Sequence, residues 1–292
     1  MKSENKHQVL LLIFFSILCI LVIFPFVMLV SISFSRESDI INYGYSIIPK
    51  HFDLAAYKYV FSNSKAIVNA YAVTALYSVL ATVLSTLIMA MCAYPISKHY
   101  LRGRNGISFY LYFTMLFSGG LVPLYILNTR YLHLNDTLWI YIIPTLLNPW
   151  YVFMMRTFFR DIPEEIFESM RVDGANEYNM FFGTVLPLSK PVLATVALLT
   201  FLGKWNDWQT AMLYINKENL VSLQYLLQRI LNNSKLLQEM ATTGVGVSTG
   251  EEIPGETSRM AMAVVVAGPA LFVFPFFQKY FVKGLTVGAV KG

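Results

Sequence analysis

No charged side chain occurs between residues 9 and 30 or between residues 66 and 97. Runs of this length constrain a chain more than any other feature, because about 20 mainly apolar residues as a helix cross the hydrocarbon core of a bilayer. A secretory leader has an apolar stretch of only about 7–15 residues before a small-residue cleavage site. The first run is longer and ends in Ser31-Ile32-Ser33-Phe34, so it reads as a retained span. Four further runs follow, giving six expected spans near 9–33, 66–97, 107–129, 137–156, 189–215 and 259–279. None shows the alternation of a barrel strand. Composition agrees: 13% of residues are charged, about half of the roughly 25% usual in soluble domains. The expected fold class is therefore all-α integral membrane, one transmembrane domain over 1–292.

Charge placement predicts orientation. The loop 98–104 holds Lys98, Arg102 and Arg104 without an acid, and the tail holds Lys279, Lys283 and Lys291 without one. Under the positive-inside rule both lie in the cytoplasm, and six spans put both termini there. The segment 161–187 is then cytoplasmic, whereas 31–65, 130–136 and 216–258 are external. The last is amide-rich and contains GVGVSTGEEIPGET, which reads as a loop. No basic run suggests nucleic acid. Cys19 and Cys92 lie inside apolar runs, away from any metal-spacing motif. The histidines are scattered, with no H-E-x-x-H or G-x-S-x-G pattern, so no enzyme site is expected.

The segment EEIFESMRVDGANEYNMFFGTVLP departs from this apolar character. Asp161-Ile162-Pro163 reads as a capped helix start with proline in the first turn. Ile166, Phe167 and Met170 then share one face. Gly174 ends the helix by taking the left-handed conformation. Asn176 caps a second helix, and Leu186-Pro187 closes it. Six acids flank the stripe (Asp161, Glu164, Glu165, Glu168, Asp173 and Glu177) against Arg156, Arg160, Arg171 and Lys190. Helices that lie on anionic lipid are usually basic. A groove on a partner protein and a linker at the headgroups both remain open for this one.

Inside the spans, Lys204 and Asp207 sit three residues apart in the fifth run, where they can pair or face a cavity. Trp205, Asn206 and Trp208 beside them offer aromatic faces and an amide of the kind that lines sugar pockets, although tryptophan is also common at membrane interfaces. Asn69, Thr74 and Ser78 read as inter-helix hydrogen-bonding residues. Gly119-Gly120 and Pro123 either kink the third span or break it, a kink being the commoner outcome.

Glu168, Gly174 six residues on and Leu186-Pro187 twelve further on resemble the EAA motif of ABC-importer permeases. The chain departs from that pattern at Ser169, Met170 and Thr184. The stretches VDGAN (172–176), GKWNDW (203–208) and QKYFVKGLTVGAVKG (278–292) are similar to the MalG-like branch that imports oligosaccharides. The resemblance implies a MetI-like permease fold whose cytoplasmic coupling helix lies between spans four and five. It also implies a bacterial cytoplasmic-membrane complex with a second six-span permease, two copies of a cytoplasmic ABC ATPase and an extracytoplasmic solute-binding protein. ATP and magnesium would bind the ATPase. This chain lacks a G-x-x-x-x-G-K-[ST] loop. Glu165, Glu168, Ser169, Met170, Asp173, Gly174, Ala175, Leu186 and Pro187 would form the coupling site. Lys204, Trp205, Asn206, Asp207 and Trp208 would line the oligosaccharide path. A stand-alone secondary transporter is the alternative, but it would favour more intramembrane carboxylates and inverted repeats.

Overall fold

A computed structural model of the chain describes residues 2–62, 64–242, 255–269 and 275. The C-terminal stretch 278–292, with its three lysines, and the part of the expected external loop at 243–254 lie outside these residues. Among the described residues there is no β-strand, only an isolated antiparallel bridge between Ser35 and Phe52. The described chain forms two compact units. One comprises Met1–Ile67 with Leu226–Pro269, and the other is built on Val68–Tyr225.

In the first unit, α1 (Lys2–Ser33) contains an apolar stretch, Gln8–Ser33, that is apolar on every side. Its side chains from Val9 to Phe26 are exposed. A helix of that kind belongs in lipid or against other membrane helices. After it come α2 (Glu37–Tyr43) and α3 (Ala55–Ser62). The Glu37 carboxylate accepts from the amides of Glu256 and Thr257 at 2.8 and 2.9 Å and from the Thr257 hydroxyl at 2.6 Å. A residue distant in sequence thus caps the helix over 256–269, most of which lies within the expected sixth span. The rest of that span, apart from residue 275, is outside the described residues.

The helix α4 (Ser64–Ser97) carries the second span, Lys65–Ser97, as the sequence predicts. The next three spans are not single helices. The third consists of α5 (Arg104–Leu116) followed by α6 (Leu121–Ile126) and a π turn over Leu127–Tyr131, bent by 110°. The expected kink is therefore a break. Gly120 adopts φ +87°, open only to glycine at low cost, so the helix restarts there in a new direction. The fourth span begins with 3₁₀ turns at Leu138–Tyr141 and Ile143–Thr145, then bends 51° into α7 (Pro149–Arg160). Pro144 and Pro149 lack the amides a continuous helix needs, and Asn148 caps α7 through the Trp150 amide at 3.0 Å.

The expected loop 216–258 is also corrected, since it contains the 20-residue helix α13 (Leu223–Thr242). Leu223, Leu226, Leu227 and Ile230 recur at helical spacing there, a signal that the amides and the glycine-rich continuation obscure.

A compact knot ties the turn after the third span to residues 214–217. His133 and Asp136 both have positive φ, and the Asp136 carboxylate accepts from the Asn216 and Lys217 amides at 2.5 and 3.0 Å. Those hydrogen bonds hold the carboxyl below its ordinary range. With its folded value depressed, its stabilisation exists above the unfolded value of about 3.9 and is lost as pH falls through the folded one. Asp136→Asn should therefore lower the unfolding temperature at pH 7, with the gap from wild type closing below about pH 4. Thermal scans across pH in detergent check this. A gap that persists unchanged at acid pH would contradict it.

Candidate functional site

The segment between α7 and the fifth span forms an elbow. Pro163 precedes α8 (Glu164–Val172) and supplies no side-chain cap, so the expected Asp161 cap is not formed. Asp161 instead ends α7. The residue before a proline is kept from the helical region, which delays the helix start to Glu164. At the other end, Gly174 adopts φ +79°. Its amide donates to Arg171 O at 3.0 Å, and the Ala175 amide donates to Met170 O at 2.9 Å. This pair of bonds is a Schellman closure. Ala175 and Met170, which such a closure brings together, both pack on the core.

Asn176 then caps α9 (Glu177–Met180), its side chain accepting from the Asn179 amide at 2.8 Å. The helix continues through a π turn, Phe181–Val185, into α10 (Leu186–Leu188). The helix ends at Leu188, one residue past the expected Leu186-Pro187 stop. The wide π turn opens the hydrogen-bond ladder just ahead of the proline, which needs that space. The direction then changes by 79° at Ser189, before α11 (Lys190–Trp205) begins.

The apolar stripe of α8 is largely used within the chain. Phe167 is only 1% exposed and joins a core with Ala93, Tyr94, Met155, Phe159, Met180 and Val185. Met170 packs at its margin. The Thr184 hydroxyl donates to the Met170 sulfur at 3.0 Å, so two departures from the family pattern contact each other. Ile166 remains 37% exposed and Val172 88%. With Glu165, Glu168, Ser169, Asp173 and Gly174, also exposed, they make an acidic outer face with an apolar edge. Pro187 is exposed too, and Leu186 half-buried.

Charge and aromatic contacts tie this elbow to the end of the second span. The Lys98 ammonium lies 2.9 Å from the centre of the Phe167 ring and 3.4 Å from Glu164, which also meets Arg171 at 3.2 Å. Burial pulls the Lys98 ammonium below its ordinary value against the opposing pull of Glu164. The Glu177 carboxylate accepts from the hydroxyls of Tyr94 at 2.6 Å and Tyr100 at 2.8 Å. Burial, and then the hydrogen bond to Glu177, raises the Tyr100 phenol. Displacing the elbow thus requires moving the second span or breaking several charge-assisted bonds. No spacing rule picks out Glu177, because its partners lie 77 and 83 residues away.

The span-five candidates are separated by depth. Lys204 and Trp205 are buried, Asp207 and Trp208 half-buried, and Asn206 exposed. Lys204 donates to Tyr141 O at 2.7 Å and pairs with Asp207 at 3.7 Å. Tyr77 and Tyr141 stack at 4.2 Å, and the Tyr77 hydroxyl donates to Lys204 O at 3.1 Å. Asp207 also accepts from the Thr210 amide and hydroxyl, ending the continuous helix and starting α12 (Gln209–Tyr214). Trp205 packs on Phe201 and Tyr71 and is 3% exposed. Asn206 accepts from Gln224 at 3.0 Å. Thr74 joins this region by accepting from the Leu223 amide at 2.9 Å, and Asn69 donates to Asn219 O.

Broken apolar spans with an acid-faced elbow before the fifth define the class of an all-α, MetI-like permease. The family described as binding-protein-dependent transport system inner membrane component matches residues 7–287. A polygalacturonan/rhamnogalacturonan transport system permease protein, YtcP of Bacillus subtilis, is 36% identical over 96% of each chain. The trehalose/maltose transport system permease protein MalG of Thermococcus litoralis is 25% identical over the full length of both chains. A crystal structure of a bacterial ABC transporter involved in the import of the acidic polysaccharide alginate contains a similar chain. Its TM-score is 0.81 at 28% identity, covering 96% of this chain and 98% of that one. The chain belongs to the binding-protein-dependent inner-membrane transport component family, and its relatives include sugar permeases of ABC transporters.

Proposed function

We propose that this chain is one of two permease subunits of an ATP-binding-cassette importer that moves an oligosaccharide released by an extracytoplasmic binding protein. The observation that carries the reading is the elbow at 164–188, whose apolar side is locked into the chain and whose acidic face stays free. The free face, with Glu165, Glu168, Ser169, Asp173 and Gly174, seats in a cleft of an ABC ATPase, and Met170, Ala175, Leu186 and Pro187 fix its angle. Two such ATPase subunits bind ATP and magnesium. When they close, the elbow moves as a unit and the ties at Phe167, Lys98 and Glu177 carry that motion into the spans. Both chain termini face the cytoplasm in this arrangement.

Asn206, Asp207 and Trp208 contribute to the sugar path, with Lys204 and Trp205 supporting them from behind. Relatives named for polygalacturonan and alginate make an acidic oligosaccharide the first substrate to test.

Gly174→Val is the sharpest test. Beyond the chain neighbours, no atom lies within 4 Å of a Cβ built there, so the change acts mainly through backbone strain of about 1–2 kcal/mol. Wild-type chain purified from its native membrane should bring a second permease and a P-loop ATPase, identified by mass spectrometry. The variant should insert normally but lose ATPase and uptake. A wild-type chain that purifies alone, in detergents that preserve other complexes, would return the secondary-carrier reading to first place.

A further inference from the structure

Three arginines collect where the third and fourth spans meet at one membrane surface. Arg104 opens α5, Arg156 and Arg160 close α7, and those two helices pack together. The charges of Arg160 and Arg104 both act on Arg156. None of the three forms an ion pair among the described residues. Nearby acids are committed or turned elsewhere. Glu164 is held by Lys98 and Arg171, Glu177 by two tyrosines, and Asp161 lines a cleft with Trp150 and Val192.

Arg104 and Arg156 are also held in place while keeping donors free. Arg156 spends only its Nε, on Ile96 O at 3.1 Å, and its guanidinium lies 6.0 Å from the Phe153 ring. Arg104 touches the His99 ring nitrogen at 3.0 Å. Arg104 also sits at the positive end of α5, which has no side-chain cap. A cation there is disfavoured by the helix dipole unless an anion joins it. Repulsion among these guanidiniums, with Arg104 and Arg156 half-buried and Arg160 exposed, costs free energy, and their free N–H forks match phosphate oxygens.

The surroundings say which anion. Arg104 and Arg160 stand at the very ends of their spans and Arg156 about one turn in, the depth of lipid headgroups. Further along α5, Phe109 and Tyr110 are 68% and 67% exposed. The rings do not share the Arg104 face of α5, but they mark that end of the helix as an apolar boundary of the kind acyl chains fill. We propose that Arg104, Arg156 and Arg160 bind the phosphate of an anionic phospholipid. This inference requires a bilayer and no particular transport substrate.

The test uses the chain with whatever subunits accompany it, in phosphatidylcholine nanodiscs with or without phosphatidylglycerol. Phosphatidylglycerol should raise the wild-type unfolding temperature and survive purification, as read by lipid extraction and mass spectrometry. Each basic residue near an anionic surface contributes about fivefold in affinity, so Arg104→Gln/Arg160→Gln should weaken phosphatidylglycerol binding about twenty-five-fold and shrink the temperature shift. That pair spares the Arg156 bond to Ile96. Arg102→Gln, outside the cluster, should cost no more than the single fivefold step of about any basic residue at that surface. Equal retention of phosphatidylglycerol by the double variant overturns the proposal. So does an equal stabilisation by inorganic phosphate, which would mark a site for free anions. Loss of companion subunits from the double variant with unchanged lipid would assign the arginines to acidic side chains of a partner.

Discussion

Lys204→Met is expected to destabilise the chain by about 3–5 kcal/mol, the usual cost of removing one partner from a buried ion pair. Both side chains are well shielded, at 8% and 16% exposure, so water screens the orphaned Asp207 carboxylate little. The substitution also removes the short donor to Tyr141 O, leaving that carbonyl only a long 3.5 Å bond from the Thr145 hydroxyl. Lys204→Met/Asp207→Leu should recover much of the loss, since it removes both charges. Recovery stays incomplete by about 1 kcal/mol, because Asp207 caps α12 through Thr210. Unfolding temperatures in detergent distinguish these cases. A single variant that loses under about 1 kcal/mol would mean that Lys204 is solvated in the working protein. It would then be free to meet an acidic sugar directly.

Local chemistry was readable in the sequence where a rule needs only neighbours. The left-handed Gly174, the Asn176 cap and the Lys204–Asp207 pair all follow from spacings of a few residues, and the structure contains each. The six long apolar runs likewise announced a membrane fold. Hydropathy averages over a window, so it cannot locate the breaks at Gly120, Pro149 and Ser189, which depend on single backbone angles. The Leu186-Pro187 stop holds to within a residue, but the π turn ahead of it is not legible for a similar reason. Whether proline ends a helix depends on the turn before it, and a π turn leaves no sequence pattern. Contacts across long separations were the least legible. Neither the capping of 256–269 by Glu37 nor the hold of Tyr94 and Tyr100 on Glu177 has a spacing to betray it. Trp205 reads as a sugar-stacking face because composition does not report depth, and its ring is packed against Phe201.

Phe167→Ala should have the largest effect on coupling of any single change in the elbow. Truncating a fully buried phenylalanine costs about 3–5 kcal/mol, and Phe167 is packed between Tyr94 and the Lys98 ammonium. Removing the ring uncovers that ammonium and loosens α8 from the second span. The Schellman closure at Gly174 would survive, so the helix should persist while losing its fixed position. The expected result is a chain that still inserts but no longer carries ATP-driven motion into the spans, with uptake abolished and ATPase activity uncoupled from sugar. Phe167→Leu keeps most of the volume and should retain partial uptake. Ile166→Ala is the complementary change. Its side chain is 37% exposed, so it should leave folding intact and weaken only the hold of the ATPase. Reconstituted complexes assayed for ATP hydrolysis and uptake side by side separate the two. Coupled transport by Phe167→Ala at wild-type efficiency would show that motion enters the spans by another route, through the Glu177 tie or through Ser189 directly.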